Sequence, residues 1–148
     1  MPKHTILLVD DEPSILEALS NILTEEHYNV IQSLNGLSAM HLLKKHQDEI
    51  HLVITDIKMP RMDGIELIKR MHTFLHTPMA VIILSGFYTV TNDTLKLGTG
   101  EYVILYDALL KPPDLNALFN SIQKAIALTI KRRESIHEID MKMYLSNN

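Results

Sequence analysis

Four short apolar runs, far apart in the chain, each stop abruptly at a polar residue. Apolar runs of this length, bounded by turn signals, are typical of buried parallel strands. The polar residues that follow the runs are Asp10 and Asp11, then Asp56, then Ser85, then Lys111. Because the carboxyl ends of parallel strands meet at one edge of a sheet, we expect these side chains to converge in one crevice.

The charges of this set indicate which chemistry the crevice supports. Carboxylates placed this close together repel each other unless a cation joins them. Magnesium prefers a few carboxylates together with water and phosphate oxygens, and an ammonium group pairs well with a phosphoryl oxygen. The sequence therefore predicts a divalent metal and a phosphoryl group bound side by side.

Between the strand-like runs the apolar residues recur at helical spacing, which predicts an α/β fold with a parallel sheet. The further predicted strands are Val30–Ile31, His51–Thr55 and Met79–Leu84. The predicted helices begin at Pro13, span Gly36–His46, Gly64–Phe74 and Tyr88–Leu97, and end with a helix capped by Asp114.

Composition narrows the possible classes of protein. A chain of 148 residues with 46% hydrophobic residues is large enough for one domain with a buried core. A net charge of −4 gives no broad electrostatic surface for nucleic acid, and we interpret Lys131–Arg133 as the C-terminal face of a helix. Cysteine is absent and no run is long enough to span a membrane. We expect a cytoplasmic protein without nucleic-acid or membrane partners.

The chain resembles the receiver domains of two-component response regulators from about Thr5 to about Leu128. The resemblance depends on the ordered set of polar residues at the strand ends and on the segment from Asp56 to Gly64, which reads Asp-Ile-Lys-Met-Pro-Arg-Met-Asp-Gly. It implies a flavodoxin-like, doubly wound sheet of five parallel strands in the order 2-1-3-4-5, with five helices in a (βα)5 arrangement.

The resemblance also implies a role for each site residue. Asp56 would accept a phosphoryl group from the phosphohistidine of a sensor histidine kinase or a histidine phosphotransfer protein. Mg²⁺ would be held by Asp11, Asp56 and the Lys58 carbonyl, with Asp10 acting mainly through a bound water. Ser85 and Lys111 would hold the phosphoryl oxygens. Such a protein is a self-phosphorylating signalling switch with slow autodephosphorylation, rather than a conventional enzyme.

Two other functional hypotheses compete with that of a phosphorylation-controlled receiver. Haloacid-dehalogenase-like phosphatases also use an aspartyl nucleophile, but they place an acidic residue two positions later, where this chain has Lys58. A receiver that has lost phosphorylation and only binds other proteins is the third possibility. For a phosphorylated receiver, output by docking to a downstream protein and transfer along a phosphorelay both remain open.

The last residues suggest an extension of the final helix. We divide the chain into a receiver domain at 1–130 and a helical extension or tail at 131–148. Mostly apolar residues recur at alternating three- and four-residue steps, a coiled-coil spacing in which Thr129 and Arg132 are poor seam residues. They are Leu115, Leu118, Ile122, Ala125, Thr129, Arg132, Ile136, Ile139 and Met143. We expect either a monomer or a weak parallel dimer through this seam.

The clearest departure from the family precedes Lys111. Receivers carry an aromatic residue three positions before the lysine, and it swings inward on activation, but here that position is Ala108. Either the strand is prolonged through Val103–Tyr106, or these residues add a helical turn and the strand is Ala108–Leu110. We favour the helical turn. We expect Tyr102 or Tyr106, or the backbone, to take over the role of the aromatic.

Overall fold

Five parallel strands form a single sheet. The structure, a computed structural model, describes residues 3–86, 96 and 100–148. The strands are β1 (Thr5–Val9), β2 (Asn29–Ser33), β3 (Leu52–Thr55), β4 (Met79–Ser85) and β5 (Val103–Leu110). They lie side by side in the order β2-β1-β3-β4-β5, which confirms the predicted flavodoxin-like topology.

Helices cover both faces of this sheet. The described helices are α1 (Pro13–Glu25), α2 (Gly36–His46), α3 (Gly64–Phe74) and α4 (Leu115–Ser146). One apolar core lies between the sheet and α2 and α3, and a second lies between the sheet and α1 and α4. The strands β3 and β4 are buried along their whole length, as expected for central strands covered on both faces.

Local capping chemistry explains where the helices begin. Asn35, Asp63 and Asp114 each accept a hydrogen bond from a backbone N–H in the first turn of α2, α3 and α4, respectively. The predicted bounds of α2 and α3 and the predicted start of α1 are confirmed. The helix predicted over Tyr88–Leu97 lies, apart from Lys96, outside the described residues.

The strand before Lys111 is longer than we expected. The helical turn that we favoured over Val103–Tyr106 is wrong, because β5 runs without interruption from Val103 to Leu110. The extra residue is absorbed by a bulge: Leu105 pairs with Val81, and Asp107 pairs with the next residue of β4, so Tyr106 has no partner of its own.

The bulge reverses the alternation of side chains along β5. Tyr106 packs into the core on the α1–α4 face, and Asp107 lies on the same face, where it accepts a hydrogen bond of 2.7 Å from the Ser121 hydroxyl of α4. Ala108 then packs against the core on the opposite, α2–α3 face. Side chains of a regular strand alternate between the two faces of a sheet, so one inserted residue leaves two consecutive side chains on the same face.

The final helix is one continuous element that extends well past the sheet. Its buried residues are Leu118, Ser121, Ile122, Ala125, Ile126 and Thr129. From Leu118 to Thr129 the predicted coiled-coil seam is therefore already packed against the chain's own sheet and is not available to a partner. The division at residue 130 stays a prediction, since α4 crosses it without a break.

Arg133 holds α4 to the sheet edge opposite the predicted site. Its guanidinium donates hydrogen bonds to the backbone carbonyls of Ile50 at 2.6 Å, Pro78 at 2.9 Å and Gln47 at 3.3 Å. Our reading of Lys131–Arg133 as a helix C-terminus is wrong, because α4 continues to Ser146. Among the described residues, no helix is both long enough and apolar enough to cross a membrane.

Candidate functional site

Three carboxylates meet at the carboxyl edge of the sheet. Asp10 and Asp11 follow β1 and Asp56 follows β3, and one oxygen from each lies within 4.8 Å of the others. Asp10 is only 2% exposed and Asp56 only 8%, whereas Asp11 is open to solvent. The neighbouring strands bring together the acidic residues that the sequence placed at one edge.

Asp56 is held by contacts on both of its oxygens. Its Oδ1 accepts a hydrogen bond of 2.6 Å from the Ile57 backbone N–H, and its Oδ2 accepts one of 2.8 Å from the Lys111 ammonium. Its own N–H donates to the Val9 carbonyl at the end of β1. Because backbone groups of two adjacent strands fix this residue, its carboxylate has a defined orientation.

Lys111 is the counterion of the cluster. Its ammonium donates to Asp10 Oδ2 as well as to Asp56 Oδ2. Burial by itself lowers the pKa of Lys111, but hydrogen bonds and charges from the two carboxylates outweigh it and raise the pKa overall. The backbone N–H of Lys111 donates to the Ser85 carbonyl at 2.9 Å, which sets the lysine at the end of β4.

Most of the predicted site residues line one small depression. It has a volume of about 180 Å³, and its walls include Asp11, Asp56, Lys58, Ser85 and Lys111. All of the predicted site residues except Asp10 thus face this depression, and Asp10 contacts it through the Lys111 ammonium. Its size suits a phosphoryl group and a hydrated cation better than a large substrate.

Two glycines shape the loop that carries Lys58, and the sequence analysis did not assign them this role. A Cβ on Gly64 would lie 2.0 Å from the Asp56 carbonyl oxygen, so only glycine lets the loop fold back onto β3. A Cβ on Gly36 would lie 2.5 Å from the Met62 carbonyl, which instead accepts a hydrogen bond from the Gly36 N–H. The loop between β3 and α3 is thereby held by α2.

An apolar groove of about 490 Å³ opens beside the depression. It lies between α1 and the segment after β5, and it shares Glu12, Gly86 and Lys111 with the depression. Its apolar lining is formed by Ile15, Ala18, Leu19, Leu84, Pro112 and Pro113. No element of the sequence analysis pointed to this groove, since its walls come from distant parts of the chain.

The donor set fits a magnesium ion. Asp10, Asp11 and Asp56 supply oxygens that converge on one point, and oxygen is the ligand that Mg²⁺ prefers. The exposed Asp11 leaves one side of the cluster open to water, which suits an ion that keeps several waters. The three carboxylates would hold such an ion, which would supply positive charge next to Asp56.

Comparison with known proteins identifies the family. The response regulator receiver domain family matches residues 6–123. The chain belongs to the response regulator receiver family. A receiver protein from Pseudomonas putida has a solved structure that superposes with a TM-score of 0.72 at 28% identity, over 84% of this chain and 98% of that one. Receiver domains bind Mg²⁺ at an acidic cluster and act in two-component signalling with histidine kinases or phosphotransfer proteins.

Curated relatives share the domain but are longer. The response regulator GtcR of Aneurinibacillus migulanus is 41% identical over 96 residues, which are 65% of this chain and 38% of that protein. The 3',5'-cyclic-nucleotide phosphodiesterase regA of Dictyostelium discoideum is 35% identical over 105 residues, 68% of this chain and 13% of that protein. The chain thus spans well under half the length of these two relatives.

Proposed function

We propose that Asp56 accepts a phosphoryl group in a Mg²⁺-dependent reaction and that phosphorylation switches the binding of a downstream protein. The donor is the phosphohistidine of a sensor histidine kinase or a histidine phosphotransfer protein. The observation that carries this proposal is the position of Lys111, whose ammonium joins Asp56 to Asp10 at the edge of a depression. An ammonium beside a buried carboxylate is suited to holding a phosphoryl oxygen.

The chemistry requires little beyond positioning and charge. A carboxylate oxygen of Asp56 attacks phosphorus, the P–N bond to the donor imidazole breaks, and the electron pair of that bond stays on the imidazole nitrogen. Charge spreads over the three remaining phosphoryl oxygens, where Lys111 and the Ser85 hydroxyl bind two of them. Mg²⁺ held by Asp11, Asp56 and the Lys58 carbonyl, with Asp10 acting through water, would neutralise further negative charge there.

The apolar groove gives a place for the donor to dock. Its lining by α1 and by Pro112 and Pro113 suits the apolar side of a partner helix. Because the groove and the depression share Lys111, a helix in the groove carries its histidine close to Asp56. This arrangement supports a helical histidine donor over a small soluble phosphodonor as the main partner.

Labelling with acetyl phosphate tests the acceptor. With Mg²⁺, the unmodified chain should gain one phosphoryl group, detected by mass spectrometry of the intact protein. Asp56→Asn should abolish the gain, while Asp63→Asn, a matched change at the cap of α3, should leave it unchanged because asparagine also caps helices well. Labelling that persists in Asp56→Asn would refute the assignment.

A second variant separates docking from chemistry. Ala18 is exposed in the groove wall, so Ala18→Glu places a charge in the path of an apolar partner without disturbing the core. We expect at least tenfold slower transfer from a phosphorylated histidine kinase that labels the unmodified chain, with labelling by acetyl phosphate unchanged. Equal losses in both reactions would show that the groove is not a separate docking surface.

The competing functions make different predictions in the same assays. A phosphorylation-independent interaction module would not be labelled by acetyl phosphate under any Mg²⁺ concentration. A phosphohydrolase would turn over a phosphomonoester continuously, but the position two residues after Asp56 is Lys58, which lacks the carboxylate that such enzymes use there. Output by docking, output by relay transfer and a cytoplasmic location all remain predictions.

A further inference from the structure

Glu12 lies at the boundary between the two cavities at the carboxyl edge of the sheet. It borders both the depression of the candidate site and the apolar groove beside α1. Lys111 is the other charged residue that the two cavities share, and its ammonium is already paired with Asp10 and Asp56. The Glu12 side chain is exposed and makes no hydrogen bond or ion pair with the described residues. Its carboxylate is therefore available to a molecule that spans the boundary.

The first turn of α1 fixes the backbone from which this carboxylate extends. The Glu12 N–H donates a 3.0 Å hydrogen bond to Asp10 Oδ1, and the Glu12 carbonyl accepts hydrogen bonds from Ile15 and Leu16. Glu12 holds the N-cap position, yet its side chain does not cap α1, whereas the N-cap side chains of α2, α3 and α4 all cap their helices. The helix therefore leaves this carboxylate unused.

In-line transfer brings the leaving group of a phosphodonor close to Glu12. The attacking and leaving atoms lie on opposite sides of the phosphorus, roughly in line. Asp56 is almost fully buried at the end of β3, so the bond that breaks points away from it, toward the open side of the depression. A donor in the groove arrives where groove and depression meet, which is the boundary that Glu12 occupies.

We propose that Glu12 is a specificity-determining residue that selects an imidazole leaving group by accepting a hydrogen bond from the ring nitrogen remote from phosphorus. This role rests on the proposed phosphorylation of Asp56. In a protonated donor ring that nitrogen carries a proton, and a carboxylate beside it stabilises the charged form. As an Asp56 oxygen bonds to phosphorus, the electron pair of the P–N bond stays on the leaving nitrogen, and the ring departs as neutral imidazole. The remote proton does not move, so the contact with Glu12 is kept throughout.

An acyl phosphate meets the opposite situation at the same place. Its leaving group is a carboxylate, which has no N–H to donate and gains negative charge as the P–O bond breaks. The negative charge of Glu12 repels this leaving group. Removal of the Glu12 charge should therefore slow transfer from an imidazole donor without slowing transfer from an acyl phosphate.

Two simpler roles for Glu12 make different predictions. An acidic residue at a helix N-terminus interacts favourably with the helix dipole, but this contribution to the stability of α1 is the same whichever donor is present. A role as an additional metal ligand predicts a smaller stabilisation by Mg²⁺ when the carboxylate is removed. The described carboxylates that converge on one point are those of Asp10, Asp11 and Asp56, and Glu12 is not among them.

Two small phosphodonors measure the preference without a partner protein. Phosphoimidazole carries the ring with its remote nitrogen, and acetyl phosphate carries the carboxylate leaving group. Labelling is followed by mass spectrometry of the intact chain, with Mg²⁺, at low donor concentration and at about pH 6, below the ordinary pKa of an imidazole ring. Glu12→Gln should lower the second-order rate constant with phosphoimidazole about fivefold, the factor expected for one ordinary hydrogen bond. The rate constant with acetyl phosphate should stay equal or rise.

A second carboxylate of α1 supplies the matched control. Glu17 is exposed and borders neither cavity, so Glu17→Gln removes the same charge from the same helix and should leave both rate constants unchanged. Thermal unfolding with and without Mg²⁺ should show the same stabilisation in Glu12→Gln as in the unmodified chain, because Glu12 does not belong to the metal cluster.

Three results would overturn the inference while labelling of the unmodified chain, and with it the phosphorylation of Asp56, stands. They are an equal loss with both donors, an unchanged rate constant with phosphoimidazole, and a loss of stabilisation by Mg²⁺ in Glu12→Gln. If neither donor labels the unmodified chain, the inference and the proposed function both fail.

Discussion

Magnesium should raise the melting temperature of this chain, and the structure gives the physical reason. Three carboxylates converge while Lys111 supplies a single positive charge, so about two negative charges remain uncompensated without metal. Asp10 and Asp56 are almost fully buried, so solvent and salt screen their repulsion poorly. A cation that binds only the folded chain removes this repulsion and stabilises the native state.

The size of the effect follows from linkage. Binding at one site stabilises the folded state by about 1.4 kcal/mol when free Mg²⁺ is ten times its dissociation constant, and by about 2.7 kcal/mol at one hundred times. For a chain of this size, 1 kcal/mol shifts the melting temperature by about 2–4 °C. Between these two concentrations we therefore expect an increase of about 3–11 °C.

Thermal unfolding with increasing MgCl₂, at constant ionic strength, measures this shift. Asp11→Asn should remove most of it, because Asp11 is exposed and its loss leaves the packing of the site intact. Asp63→Asn, a carboxylate change outside the cluster, should keep the full shift. An unchanged melting temperature at saturating Mg²⁺, or an equal shift in Asp11→Asn, would refute the metal site.

Three further predictions concern the opposite edge of the sheet and β5. Burial, followed by the charges of Arg133 and His4, lowers the pKa of His51 to about 4, so the folded state resists a proton that the unfolded state binds below about 6.5. The free energy of unfolding should keep this contribution in full above that pH and should fall by about 1–2 kcal/mol as the pH drops to about 4, allowing for partial solvent exposure. In urea unfolding, the His51→Gln variant should lose this part of the pH dependence. Arg133→Met should cost about 2–4 kcal/mol in urea unfolding and should raise the His51 pKa measured by NMR. Deleting Tyr106 should remove the bulge without shifting the register of β5, because Leu105 and Asp107 already pair with consecutive residues of β4, so mass spectrometry should still detect labelling by acetyl phosphate.

The parts of the fold that depend on neighbouring residues were predictable from the sequence. The starts of α2 and α3 follow from Asn35 and Asp63, whose side chains accept a hydrogen bond from the backbone N–H three residues later. The convergence of Asp10, Asp11 and Asp56 follows from the general rule that parallel strands end at one edge. In both cases the information lies within a few residues or in the strand pattern itself.

The parts that depend on distant contacts were not predictable in this way. Asp107 lies beside Tyr106 on the α4 face because its carboxylate accepts a hydrogen bond from Ser121, fourteen positions later in the chain. Arg133 looked like the end of a helix, but its partners are carbonyls of Ile50 and Pro78, more than fifty residues away. The spacing of residues along the sequence does not reveal which distant groups will pair.

The bulge at Tyr106 connects the chain's departure from its family to the geometry of the site. An inserted residue in β5 would move Lys111 along the sheet if the strand stayed regular. Because the bulge absorbs it, Leu110 still pairs with Ser85, and the Lys111 ammonium still reaches Asp56. The same rearrangement places Ala108, not an aromatic, on the α2–α3 face.

Of the two tyrosines that we considered as substitutes for the missing aromatic, only Tyr102 packs on the face that holds Ala108. Tyr106 packs against the opposite core, with α1 and α4. The bulge thus keeps the phosphoryl site in register while removing Tyr106 from the face on which the family's aromatic moves. An activation-linked movement of a tyrosine in this chain should therefore involve Tyr102, the residue before β5. A beryllofluoride complex in which Tyr106 moves instead would contradict that assignment.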